Sequence, residues 1–94
     1  MTVSVNKIAQ QLRLSPEELI QRSLASFLDR EKRTVQMDIA DLQDRYGTRS
    51  SGALRTCIER GEIYSHPAWE EAIEWEQLEA YLDHLQALLD AFEQ

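Results

Sequence analysis

The chain has 94 residues, 43% of them hydrophobic and 29% charged, and a net charge of −7. That length allows one domain with a modest core, and that composition excludes a disordered chain, which would carry fewer apolar residues. A single cysteine, Cys57, excludes an intrachain disulfide, and no apolar run approaches the ~20 residues of a membrane span.

The opening Met1-Thr2-Val3-Ser4-Val5-Asn6-Lys7 has no apolar signal-peptide core, so a cytoplasmic protein is expected. Thr2 to Val5 alternates polar and apolar residues, which permits a short strand. Val5, Ile8, Ala9 and Leu12 then follow helical spacing and predict a short helix over roughly 6–13. Leu14-Ser15-Pro16-Glu17-Glu18-Leu19 is the clearest local signal. Ser15 is an N-cap, Glu18 completes a capping box, Pro16 occupies the first helical position, and Leu14 and Leu19 have the spacing of a hydrophobic staple. The helix it opens is long. Leu19, Ile20, Leu24, Phe27, Leu28, Val35, Ile39, Leu42 and Tyr46 stay near one face, with a thinning over 29–34 where solvation or a kink is expected. Gly47 ends it.

Ser50-Ser51-Gly52 restarts the chain into a short helix carrying Leu54, Cys57 and Ile58, stopped at Gly61. His66-Pro67 opens the last helix, capped by Ser65 or His66. There Trp75, Leu78, Leu82, Leu85, Leu89 and Phe92 alternate steps of three and four, a seam suited to a coiled coil or an antiparallel hairpin. The expected fold is all-α: a short N-terminal helix, one long helix, a short bridging helix and a long C-terminal helix in a helical hairpin or bundle.

Charge divides this single domain. Residues 1–34 hold six basic and four acidic groups, a balance of +2, which leaves −9 for residues 35–94. The first portion is a candidate for dimerisation or DNA binding, with Lys7, Gln10, Gln11 and Arg13 as groups that could meet a groove. The second is an acidic hairpin suited to a basic partner. Its candidate contacts are Trp69, Glu70, Glu71, Glu74, Trp75 and Glu76, because tryptophan beside carboxylates is an anchor arrangement. A solvated acidic face stays open for the carboxylates, and core for Trp75 on the seam. Catalytic, metal and cofactor sites are not expected: His66 and His84 lie on different turns, and no phosphate-binding or nucleophile motif occurs.

Tyr46-Gly47-Thr48-Arg49-Ser50-Ser51, the short helix, Gly61-Glu62 and His66-Pro67-Ala68-Trp69-Glu70-Glu71-Ala72-Ile73-Glu74-Trp75-Glu76 together resemble small acidic antitoxins of prokaryotic type II toxin–antitoxin pairs. Ile8-Ala9-Gln10-Gln11-Leu12 followed by Leu14-Ser15-Pro16-Glu17-Glu18-Leu19 is similar to the start of many such proteins. The resemblance implies binding and masking of a basic toxin, commonly a ribonuclease, with an N-terminal part that dimerises and binds the operon's own promoter. A stand-alone DNA-binding regulator and a helical assembly protein are the alternatives.

Overall fold

The computed structural model describes residues 4–92, and within them the chain is built from four helices without a strand: α1 (Val5–Leu12), α2 (Pro16–Tyr46), α3 (Ser51–Glu59) and α4 (Ser65–Phe92). Thr2 and Val3 lie outside the described residues. The strand expected there does not include Ser4 and Val5, because the Ser4 hydroxyl accepts the Lys7 amide as an N-cap and Val5 begins α1.

The first three helices each start where a serine hydroxyl satisfies an end amide. The Ser15 hydroxyl accepts the Glu18 amide at 3.1 Å, with Pro16 just inside α2. The Ser50 hydroxyl accepts the Ala53 amide at the head of α3. Gly47, at φ +63°, and Gly61, at φ +76°, take the left-handed conformation that closes α2 and α3. Arg13 takes it too, at φ +61°. The Arg13 and Leu14 amides return to the carbonyls of Gln10 and Ala9, so a β-carbon-bearing residue ends α1 where glycine is usual. At the head of α4, His66 is extended (φ −120°, ψ 123°), and the regular helix runs from Pro67.

α2 runs unbroken through 29–34. Of the two alternatives there, solvation and a kink, the helix shows no kink: the stretch is partly solvated, Tyr81 of α4 donates its hydroxyl to Glu31 at 2.9 Å, and Arg33 pairs with Asp29 one turn earlier. α2 and α4 pack as an antiparallel hairpin, with Tyr46 near Glu71 at one end and Glu31 joined to Tyr81 further along. The seam holds. Trp75 and Leu85 are buried, Leu78, Leu82 and Leu89 are half-buried, and only Phe92 at the tip is exposed.

The core sits at the closed end of the hairpin. Leu42 of α2, Leu54 of α3 and Ala68, Ala72 and Trp75 of α4 form one buried cluster, flanked by Ile39, Tyr46, Ile58, Ile63 and Leu78. Ala68 and Ala72 lie seven and three residues before Trp75 on one face of α4, and their small side chains let α3 approach closely enough to seal the indole. Glu79, one turn beyond Trp75, fixes the head of α3 by accepting both the Ser51 amide and the Ser51 hydroxyl. At the opposite end α1 folds back on the start of α2, burying little more than Ala9. The molecule measures 60 × 33 × 16 Å.

Leu54→Ala should cost roughly 2–5 kcal/mol, since a fully buried side chain leaves a cavity between three helices. Arg13→Gly should hold stability level or raise it, because the left-handed conformation that costs an L-residue roughly 1–2 kcal/mol is relieved. Chemical denaturation followed by circular dichroism measures both. A large loss on Arg13→Gly would mean that the arginine side chain, not the backbone turn, holds α1 in place.

Candidate functional surface

The acidic segment at the start of α4 divides between core, internal ion pairs and solvent. Trp75 is fully buried, so of the two tryptophans only Trp69 is presented outward, 41% exposed. The Arg55 guanidinium lies 5.1 Å from the centre of the Trp69 ring and pairs with Glu76 at 2.6 Å. Arginine, indole and carboxylate thus form one surface cluster between α3 and α4.

Glu71 is half-buried and accepts from two groups of α2, Arg45 at 2.6 Å and the Tyr46 hydroxyl at 2.9 Å. Glu71 holds the Arg45 guanidinium all the more firmly charged, while burial, aided by Glu71, pushes the Tyr46 phenol up. Glu70 lies 3.0 Å from the His66 ring. Its own backbone amide and then His66 hold its carboxyl below the ordinary range. Three of the four expected carboxylate contacts, Glu70, Glu71 and Glu76, therefore already have partners within the chain.

Glu74 is different. With Asp38 and Asp41 of α2 it lines a shallow groove of about 220 Å³ between α2 and α4, beside Leu78 and Arg45. Among the described residues none of these three carboxylates forms a salt bridge, and Arg45 is committed to Glu71. The groove is a concentrated negative site on a half of the chain that carries −9. Asp38 and Asp41 were not singled out by sequence. Their spacing of three on an acidic helix is ordinary, and only the hairpin register brings Glu74 opposite them.

The open end presents the opposite chemistry. Val5, Ile8 and Leu12 form a stripe along α1, and Ile20, Leu24 and Phe27 form another along α2. Each of these side chains is exposed. Between the stripes lies a groove of about 360 Å³ lined by Val5, Ile8, Leu19, Ile20, Ser23 and Leu24. Glu31 follows Leu24 and Phe27 on the same face of α2 and binds Tyr81, so Tyr81, Leu88 and Phe92, which share one flank of α4 at steps of seven and four, continue this apolar surface. The periodicity of 19–28 was legible as a buried face. The last turns of α4, which run on past Tyr81 beside this stretch, leave Ile20, Leu24 and Phe27 exposed on the flank.

Lys7, Gln10 and Gln11 share the outer face of α1, away from Ala9, and all three are exposed. Arg13, in the turn that follows, is exposed as well. His84 is exposed on α4, and among the described residues no group of three His, Cys, Asp or Glu is placed to hold a metal. Among the same residues no helix is long and apolar enough to cross a membrane. Burial, with help from Glu62, pushes the Cys57 thiol up, which disfavours the reactive thiolate.

The chain belongs to the uncharacterized protein MJ0235 family, which it matches over residues 1–94. No curated protein and no solved structure matches it.

The hydrogen bond to Glu31, the largest influence on Tyr81, raises its phenol above the ordinary value. A raised phenol favours the protonated folded state, so its stabilising contribution is complete at neutral pH and is lost as the pH climbs past about 10. In a chain carrying Tyr46→Phe and Tyr64→Phe, tyrosinate absorbance should report an ionisation above that of a solvated tyrosine, and Glu31→Gln should lower it. An unchanged titration would mean that the bond joining the middle of α2 to α4 is not formed in solution.

Proposed function

We propose that the chain is a non-catalytic inhibitor of the antitoxin kind, whose acidic hairpin docks a basic protein, a nuclease by the resemblance, and neutralises it by covering its working surface. The observation that carries this reading is the groove of Asp38, Asp41 and Glu74, three carboxylates that form no salt bridge among the described residues, beside Leu78 and the Arg45 that Glu71 holds. A lysine or arginine of a partner entering this groove meets concentrated negative charge with an apolar wall for its methylene stem. The −9 carried by residues 35–94 extends the attraction beyond contact and speeds encounter. Trp69, partly exposed and stacked on Arg55, supplies a rigid aromatic contact at the closed end. Glu70, Glu71 and Glu76 have a supporting role in this reading: they hold the hairpin and the tryptophan in place.

The test is co-expression with the product of the adjacent gene. Growth arrest by that product alone, relieved by this chain, is the expected result. Reversing Asp38, Asp41 and Glu74 to Lys should slow association and flatten its salt dependence, whereas Trp69→Ala should speed dissociation and cost on the order of 2 kcal/mol. A harmless neighbour, or relief that survives both changes, removes the reading.

A further inference from the structure

We infer that the open end of the hairpin holds a binding site for a single acyl carboxylate, a fatty-acid-like amphiphile whose chain lies between α1 and α2 and whose head lies between Arg22 and Arg30. The inference goes beyond the basic-partner reading and uses other residues, so either can fail without the other.

The site consists of two adjoining hollows. The first is the groove of about 360 Å³ between α1 and α2. Apart from Ser23, its walls are the aliphatic side chains of Val5, Ile8, Leu19, Ile20 and Leu24. The second, of about 400 Å³, lies further along α2 and is lined by Arg22, Ser23, Ser26, Phe27 and Arg30. Ser23 lines both, so the apolar hollow leads into the basic one. Volumes of this size are those of small-molecule sites, where apolar walls bind and a few polar groups orient. From Leu19 to Arg30 the helix advances roughly 16 Å, enough for a medium-length acyl chain laid along it with its head at the arginines.

Charge selects the head group. No carboxylate lines either hollow. Arg22 pairs with Glu18 at 2.9 Å along its own helix, whereas Arg30 forms no salt bridge among the described residues. One arginine is thus compensated and one is not, which suits a ligand with one negative charge. A guanidinium receives a carboxylate through two parallel hydrogen bonds. The hydroxyls of Ser23 and Ser26, one turn apart beside it, have protons to donate to the same oxygens.

The groove selects the tail. An extended peptide would bring amide groups into a hollow where only the Ser23 hydroxyl replaces their water. A helix, about 10–12 Å across, rests on the rims of so small a hollow without filling it. An acyl chain fills it and leaves no polar group unmet. Val5, Ile8, Ile20, Leu24 and Phe27 are 38–55% exposed in the chain alone, and contiguous apolar side chains left in water mark binding grooves. α1 buries little beyond Ala9 against α2, so a chain laid between the two helices adds the apolar contact that joins them.

The test is titration of the full chain with laurate, kept below the concentration at which it forms micelles, followed by calorimetry and by amide NMR shifts. One laurate per chain should bind with helicity unchanged in circular dichroism. The shifts should fall in α1 and residues 19–30, while the signals of Trp69 and Trp75 stay in place. Arg30→Gln should weaken binding about tenfold, as loss of a charged hydrogen bond does, and Leu24→Gln should weaken it by a similar factor. Both positions are exposed, so these variants keep the fold, which circular dichroism checks. Dodecanol, the same chain without the charge, should bind the wild type and Arg30→Gln alike. Acetate, the head without the chain, should not bind at about 1 mM. The triple variant Asp38→Asn, Asp41→Asn, Glu74→Gln should bind laurate as the wild type does, which separates this site from the acidic groove. Absence of saturable laurate binding below about 1 mM overturns the proposal and leaves the two hollows to a protein partner. Uptake of many laurates per chain with loss of helicity, or an affinity that both Arg30→Gln and Leu24→Gln leave unchanged, overturns it equally.

Discussion

Burial of Trp75 is what turns three helices into one body. An indole of this size removes roughly 150–250 Å² from water, worth about 4–6 kcal/mol by area. No single helix can cover it. α4 provides the ring and, through Ala68 and Ala72, a floor low enough for α3 to settle on. α3 closes the site with Leu54, and α2 closes it with Leu42. Glu79 sets the height of α3 by holding the first residue of that helix through its amide and its hydroxyl, a carboxylate at a helix start, where the backbone dipole favours negative charge. Larger residues at 68 or 72 would lift α3 away and open the ring to water. The indole nitrogen itself finds no acceptor among the described residues, so the cluster holds by packing and not by a polar network.

The carboxylates that are so abundant in the second half of the chain serve two purposes that composition does not separate. Some are structural: Glu71 bridges α4 to Arg45 and Tyr46, Glu76 holds Arg55 under Trp69, and Glu31 ties α2 to Tyr81. These are surface or half-buried contacts, each worth little alone, but each joins elements distant in sequence. Others, Asp38, Asp41 and Glu74, form no salt bridge among the described residues. Three of the carboxylates left after the internal pairs are made thus gather where α2 and α4 face one another.

Local signals mark the helix ends well. Ser15, Pro16 and Glu18 mark the start of α2 and Gly47 its end, because capping is chemistry between residues a few positions apart. The periodicity of Trp75, Leu78, Leu82, Leu85 and Leu89 likewise foretold the seam. What could not be read was which stretch of an apolar stripe another element covers. Ile20, Leu24 and Phe27 continue the same stripe as Val35 and Leu42, yet the first three are exposed and the last two buried, since coverage depends on how the neighbouring helices pack. Nor could sequence distinguish paired from unpaired carboxylates. Arg45 and Glu71 are 26 positions apart, and only the register of the hairpin brings them together. The choice between solvation and a kink near 29–34 stayed open for a related reason: a polar run shows its contacts only when the hydroxyl of Tyr81 is seen to engage it.

α2 is geometrically continuous but unevenly supported, and local stability follows support, not geometry. Its last third is locked by the Trp75 cluster, so amides there exchange with solvent only when the whole domain unfolds. Its first third packs on α1 and the last turns of α4 with most of its side chains exposed, and amides there should open more readily, in excursions that leave the core intact. Proteases cut what opens, at a rate set by how often it opens. Whatever covers that stretch therefore governs how long the polypeptide survives a protease, and its proteolytic lifetime becomes a readout of occupancy at its open end.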